Sequence, residues 1–128
     1  MRNARIEVQP TSGALGAVIS GVDLATELDS HAVSDIRQAF HDHGVIFFRG
    51  QHLTPAQHIA FAERMGVINI NRFFKTAPDH PQIAEVRKEP AQTTNIGGGW
   101  HTDHSYDQIP ALGSILLARE VPPRGGDT

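Results

Sequence analysis

Apolar positions fall into short runs punctuated by glycine and proline, with two longer stretches of helical spacing between them. Ile6 to Gln9 alternates and predicts a short strand, followed by a turn at Pro10-Thr-Ser-Gly13. Ala14 to Leu24 is apolar and interrupted by glycine, which predicts closely packed strand and turn. It contains no G-x-G-x-x-G and no lysine after a glycine, so it is a poor nucleotide loop. Asp29 or Ser30 caps a helix through about His43, with Val33, Ile36 and Phe40 on one face and Gly44 as the stop. His41 and His43 read as solvated residues at its end, where positive charge complements the helix dipole. Val45 to Phe48 predicts a buried strand. Thr54-Pro55-Ala-Gln57 is a capping box with proline at the first helical position. It starts a helix that runs to Met65, buries Phe61 and Met65, leaves His58 at the surface and ends at Gly66. Ile83 to Val86 predicts a further strand, and Glu89 to Gly99 a loop of the length that often carries function. Ala111 to Ala118 reads as an apolar strand, and Val121 to Thr128 as a closing turn.

The chemistry concentrates in Asn95-Ile-Gly-Gly-Gly-Trp-His101-Thr-Asp103-His-Ser-Tyr106. If the segment is extended from Trp100 to Tyr106, His101 and Asp103 leave one face of a strand and His104 the other. An imidazole and a carboxylate on one face are two members of the 2-His-1-carboxylate set that holds Fe(II) with open positions. The preceding glycines have no side chains to bar access. Chance alone supplies such a triplet: eight His among 128 residues, with as many Asp, give about half an expected His-x-Asp. The alternative is a histidine and an aspartate hydrogen-bonded to each other or to water.

Composition narrows the choice. There is no cysteine, which excludes disulfides, thiolate metal sites and cysteine nucleophiles, so a metal site must use His and carboxylates. A net charge of -3 with scattered basic residues gives no electrostatic case for nucleic acid or an anionic membrane. No apolar run reaches membrane-spanning length, and Met1 to Ile6 lacks the apolar core of a signal peptide, so a cytoplasmic location is expected. No internal repeat or low-complexity tract is present.

Gly99-Trp-His101-Thr-Asp103, Pro110-Ala-Leu-Gly-Ser-Ile-Leu-Leu-Ala-Arg119 and Gly125-Gly-Asp-Thr128 together resemble the taurine dioxygenase family of 2-oxoglutarate- and Fe(II)-dependent dioxygenases. Leu15 to Leu24, Val45 to Arg49 and Thr54-Pro55 are similar to its N-terminal pattern, so the likeness runs in order over nearly the whole chain. The resemblance implies an α+β, mainly β fold: a double-stranded β-helix of jelly-roll, clavaminate synthase-like form with helices outside. It implies that His101 and Asp103 bind iron and act in catalysis, that Thr128 contacts the 2-oxoglutarate carboxylate, and that O2 is consumed. The implied reaction hydroxylates a small organic acid or sulfonate and releases succinate and CO2.

Two departures from the family shape the expectation. Its second iron-binding histidine and its 2-oxoglutarate-binding arginine have no counterpart here. Residues 1–128 are therefore expected to be the N-terminal part of a single dioxygenase domain, inactive alone. The positions that resemble the taurine-binding His, Tyr and Asn hold Asn71, Phe74 and Gly97, which argues against taurine. Homo-oligomerisation is left open. Two other readings stand beside this one. A cupin-like zinc or iron hydrolase would want a third histidine at strand spacing, and a catalytically inactive truncated binding module would fold without metal.

Overall fold

The alternating start of the chain becomes β1 (Glu7–Pro10), which pairs antiparallel with β2 (Ala17–Ser20) in register Glu7↔Ser20 to Pro10↔Ala17. In this computed structural model the described residues are 6–126. They form two compact units, Met1–Val67 and Ile68–Thr128, each considered by itself.

The first unit is a three-stranded sheet in the order β1-β2-β3 with two helices. After β2 the chain enters α1 (Ser30–His43) and returns as β3 (Ile46–Phe48), parallel to β2. A parallel return needs such a crossover, and a helix supplies it. Both ends of α1 are set by the residues the sequence marks. The Asp29 carboxylate accepts from Ala32 N at 2.7 Å, and Gly44 N donates to Phe40 O at 2.8 Å. Gly44 has a φ of 70°, and a Cβ there would lie 2.8 Å from Leu15 Cδ1, so both backbone and packing call for glycine.

The core lies between α1 and the sheet. Ala17 and Ile19 point inward from β2, while Val33, Ile36 and Ala39 point inward from α1. Phe40, expected in this face, is half-buried, and the smaller Ala39 takes the inner position. α2 (Pro55–Met65) begins with the expected box: Thr54 N donates to Gln57 Oε1 at 2.9 Å, and Gln57 N to Thr54 Oγ1 at 3.2 Å. Phe61 is buried and meets the edge of Phe48 at 5.9 Å between centroids. Met65 and His58 are half-buried.

Side-chain amides tie the irregular stretch after β2 to this helix and its approach. Gln51 accepts from Leu24 N and donates to Val22 O, while Gln57 donates to Ala25 O. Arg64 adds a bond to Leu28 O at 3.0 Å.

Several expectations change. The first strand is shifted by one residue, so Pro10 ends β1 instead of opening the turn. Val45 to Phe48 is not buried: β3 lies at a sheet edge, and Val45 and Phe47 are exposed.

The second unit has one hairpin, β4 (Thr76–Ala77) and β5 (His80–Ala84), with an irregularity between Thr76 and Ala77. Asp79, at φ 59°, makes the tight reversal. The strand expected at Ile83 to Val86 therefore sits earlier, and Val86 is exposed. Glu89 to Gly99 is irregular, as expected. Ala111 to Ala118 is not a strand: an apolar run becomes one only within a ladder, and no strand ladder is formed there among the described residues. Leu112 and Leu116 are exposed there. Among the described residues no helix is long and apolar enough to cross a membrane.

Candidate metal centre

The glycine run shapes the approach to His101. Gly97 lies in a turn at φ 71°, and the chain bends again at Gly99 and Trp100. This brings the Gly99 carbonyl to 2.8 Å from His101 Nδ1. A carbonyl oxygen only accepts, so in this contact Nδ1 is the donor. Nε2 lies 3.4 Å from Asp103 Oδ1.

The two side chains therefore converge, but not through strand geometry. The expectation of an extended Trp100 to Tyr106 is corrected: residues 103–106 bend and turn, with His104 at φ 55°. Local polar contacts compete with extension here. Thr102 Oγ1 contacts Ser105 Oγ, and Asp107 N donates to His104 O at 3.1 Å. His104 turns to a different partner, with Nδ1 at 3.3 Å from Asp107 Oδ2.

His101 and Asp103 are suited to a divalent ion that accepts nitrogen and oxygen donors. Two donors each about 2.0–2.2 Å from one ion stand about 3–3.5 Å apart at ordinary bond angles, and 3.4 Å lies within that span. Both side chains are more than half exposed, at 54% and 79%, so an ion has open access. Among the described residues there is no group of three or more His, Asp or Glu placed to hold a metal. The expected cosubstrate contact, Thr128, lies outside the described residues.

The three substrate-side candidates separate into two places. Gly97 is packed against the imidazole of His101. Asn71 and Phe74 share a turn in which Asn71 Oδ1 accepts from Phe73 N at 2.8 Å and Phe74 N at 3.2 Å. The Asn71 carbonyl oxygen is thus engaged by backbone, and its NH2 remains the group able to donate elsewhere. Phe74 is half-buried.

A cluster not anticipated from sequence links this turn to the segment after Asp103. Arg72 Nη2 donates to Asp107 Oδ1 at 3.3 Å, and its guanidinium lies 5.0 Å from the Phe73 ring centre. The Tyr106 ring meets Phe73 edge-on at 5.9 Å and stacks with His104 at 6.2 Å. Asp107 thus serves both Arg72 and His104. The three-residue spacing of His104 and Asp107 was a readable local signal, whereas the pairing with Arg72 crosses 35 positions and had none.

The chain belongs to the taurine catabolism dioxygenase TauD, TfdA family, which it matches over residues 7–128. It is 33% identical over 125 residues to the (S)-phenoxypropionate/alpha-ketoglutarate-dioxygenase of Sphingobium herbicidovorans, covering 95% of this chain and 43% of that protein. To the alkylsulfatase of Acinetobacter baylyi it is 36% identical over 126 residues, covering 97% of this chain and 38% of that one. The crystal structure of a taurine dioxygenase from Burkholderia xenovorans superposes with a TM-score of 0.65 at 37% identity, over 78% of this chain and 35% of that one. The chain spans less than half the length of these curated relatives.

Proposed function

We propose that the chain is the N-terminal part of a single 2-oxoglutarate- and Fe(II)-dependent dioxygenase domain with a double-stranded β-helix, or jelly-roll, fold. The proposed reaction hydroxylates a small organic acid or sulfonate with consumption of O2 and release of succinate and CO2. One observation carries this reading: His101 Nε2 and Asp103 Oδ1 converge to 3.4 Å in a member of this family, with His101 Nδ1 bound to the Gly99 carbonyl.

In this proposal His101 and Asp103 are two of the protein ligands of Fe(II), and Thr128 contacts the 2-oxoglutarate carboxylate. Bound iron supplies the redox chemistry that couples O2 and 2-oxoglutarate to hydroxylation. The chain's own residues prepare the position. The Gly99 carbonyl keeps the imidazole proton on Nδ1, and Asp103 adds a negative charge that favours a cation. Asn71, Phe74 and Gly97 are assigned to the substrate side. A phenylalanine and a glycine offer no charge to a sulfonate, so the substrate is assigned to organic acids or sulfonates other than taurine. The names of the relatives support a small organic substrate, since one is named for a phenoxy acid and another for an alkyl sulfate.

The test is to supply the full product of the gene with Fe(II), 2-oxoglutarate and O2 and to follow succinate across phenoxy acids, alkyl sulfates and sulfonates. Substrate-dependent succinate that disappears in Asp103→Ala is expected. A folded protein that binds no divalent metal at His101 and Asp103 would sink the proposal.

A further inference from the structure

We propose that Gly97 is a positioning residue for His101: its left-handed backbone and missing side chain form the seat against which the imidazole is held. This rests on the reading of His101 as a metal ligand, and it adds a function for the first of the three glycines that is separate from substrate contact.

The three glycines are not equivalent. A Cβ on Gly97 would lie 3.1 Å from His101 Cε1, 3.6 Å from Nε2 and 3.9 Å from Nδ1. The ring edge that carries both nitrogens therefore faces Gly97. A Cβ on Gly98 would instead meet Asn95, and one on Gly99 would meet nothing within 4 Å. Of the three, only Gly97 has a positive φ, at 71°.

A contact of 3.1 Å requires something to give, and what is nearest is the imidazole itself. The ring is half exposed and is held here by its bond to the Gly99 carbonyl. Displacing it disturbs the 2.8 Å bond from Nδ1 to the Gly99 carbonyl and the 3.4 Å approach of Nε2 to Asp103 Oδ1. The added methyl would also stand 3.6 Å from Nε2. One substitution thus disturbs the Nδ1 bond and the donor separation together.

The test begins without metal. Long-range proton–nitrogen correlation spectra of the chain report which nitrogen of His101 is protonated. The Nδ1–H form should dominate in the wild type and in Gly98→Ala, and give way to a mixture in Gly97→Ala. Gly97→Asn separates the two causes, since asparagine accepts the left-handed backbone but brings a Cβ. It should perturb the His101 tautomer as alanine does while retaining more thermal stability. Amide spectra of the second unit, which holds Gly97 and His101, show whether each variant is folded. Titration with Zn(II), which is redox-silent, should then show affinity in Gly97→Ala lowered by about tenfold, the scale of a lost outer contact to a ligand. Equal tautomer ratios in the wild type, Gly97→Ala and Gly97→Asn would overturn the inference, as would equal effects of Gly97→Ala and Gly98→Ala. Zn(II) that leaves the His101 resonances of the full gene product untouched would instead overturn the metal reading, with the metal-free spectra still deciding the role of Gly97.

Discussion

A histidine becomes a ligand through what its second nitrogen does. The sequence displays His101 and Asp103 two positions apart, and the pair does converge, but the bond from Nδ1 to the Gly99 carbonyl was not legible. It depends on a bend made by glycines, whose conformations no side-chain pattern encodes. The face argument reached the convergence by the wrong route, since the segment turns where extension was expected. At this scale the proposed roles predict unequal losses in the full gene product. Asp103→Ala removes an anionic ligand and should abolish turnover and weaken Fe(II) binding. Thr128→Ala removes one hydrogen bond to an anionic cosubstrate, worth about 1.5–3 kcal/mol, and should act mainly on the 2-oxoglutarate requirement. Comparing the 2-oxoglutarate dependence of succinate release in the two variants checks this, and equal losses would remove Thr128 from its assigned role.

Among elements, the helices were legible and the later strands were not. Helix signals are local: Asp29, Gly44, Thr54, Pro55 and Gln57 lie within a turn of the groups they satisfy. A strand is completed by a ladder, and among the described residues no strand forms over Ala111 to Ala118. The edge position of β3 was hidden for the same reason, because four apolar residues do not say how many neighbours they will have. Two stability predictions follow from the helices. Ile36 is fully buried between α1 and the sheet, so Ile36→Ala should cost about 2–5 kcal/mol. Thr54→Ala removes one half of the capping box and should cost about 1 kcal/mol. Urea unfolding followed by helix circular dichroism measures both, and a larger loss at Thr54 than at Ile36 would contradict the placement of the core.

At the scale of the whole molecule, family membership rests on an ordered likeness over residues 7–128, while substrate and completeness rest on particular positions. Asn71 spends its carbonyl oxygen on the backbone of Phe73 and Phe74, and Phe74 and Gly97 bring no polar side chain. In their proposed substrate role these positions would leave a sulfonate withdrawn from water short of partners for its oxygens. The full gene product should therefore release succinate with an aryl or alkyl organic acid at concentrations where taurine gives none, and efficient turnover of taurine would refute the assignment. The 128-residue chain alone raises a different question. His101 and Asp103 supply two donors, and no group of three is present among the described residues, whereas an iron site of this kind uses three protein ligands. Exposed apolar side chains at Ile109, Leu112 and Leu116 give the chain a surface that favours association. Expressed alone, it should bind Fe(II) weakly, show a concentration-dependent size in sedimentation, and form no succinate from 2-oxoglutarate. Sustained metal-dependent succinate formation by residues 1–128 would mean that a third donor reaches the site, and would overturn the reading of this chain as half of a dioxygenase domain.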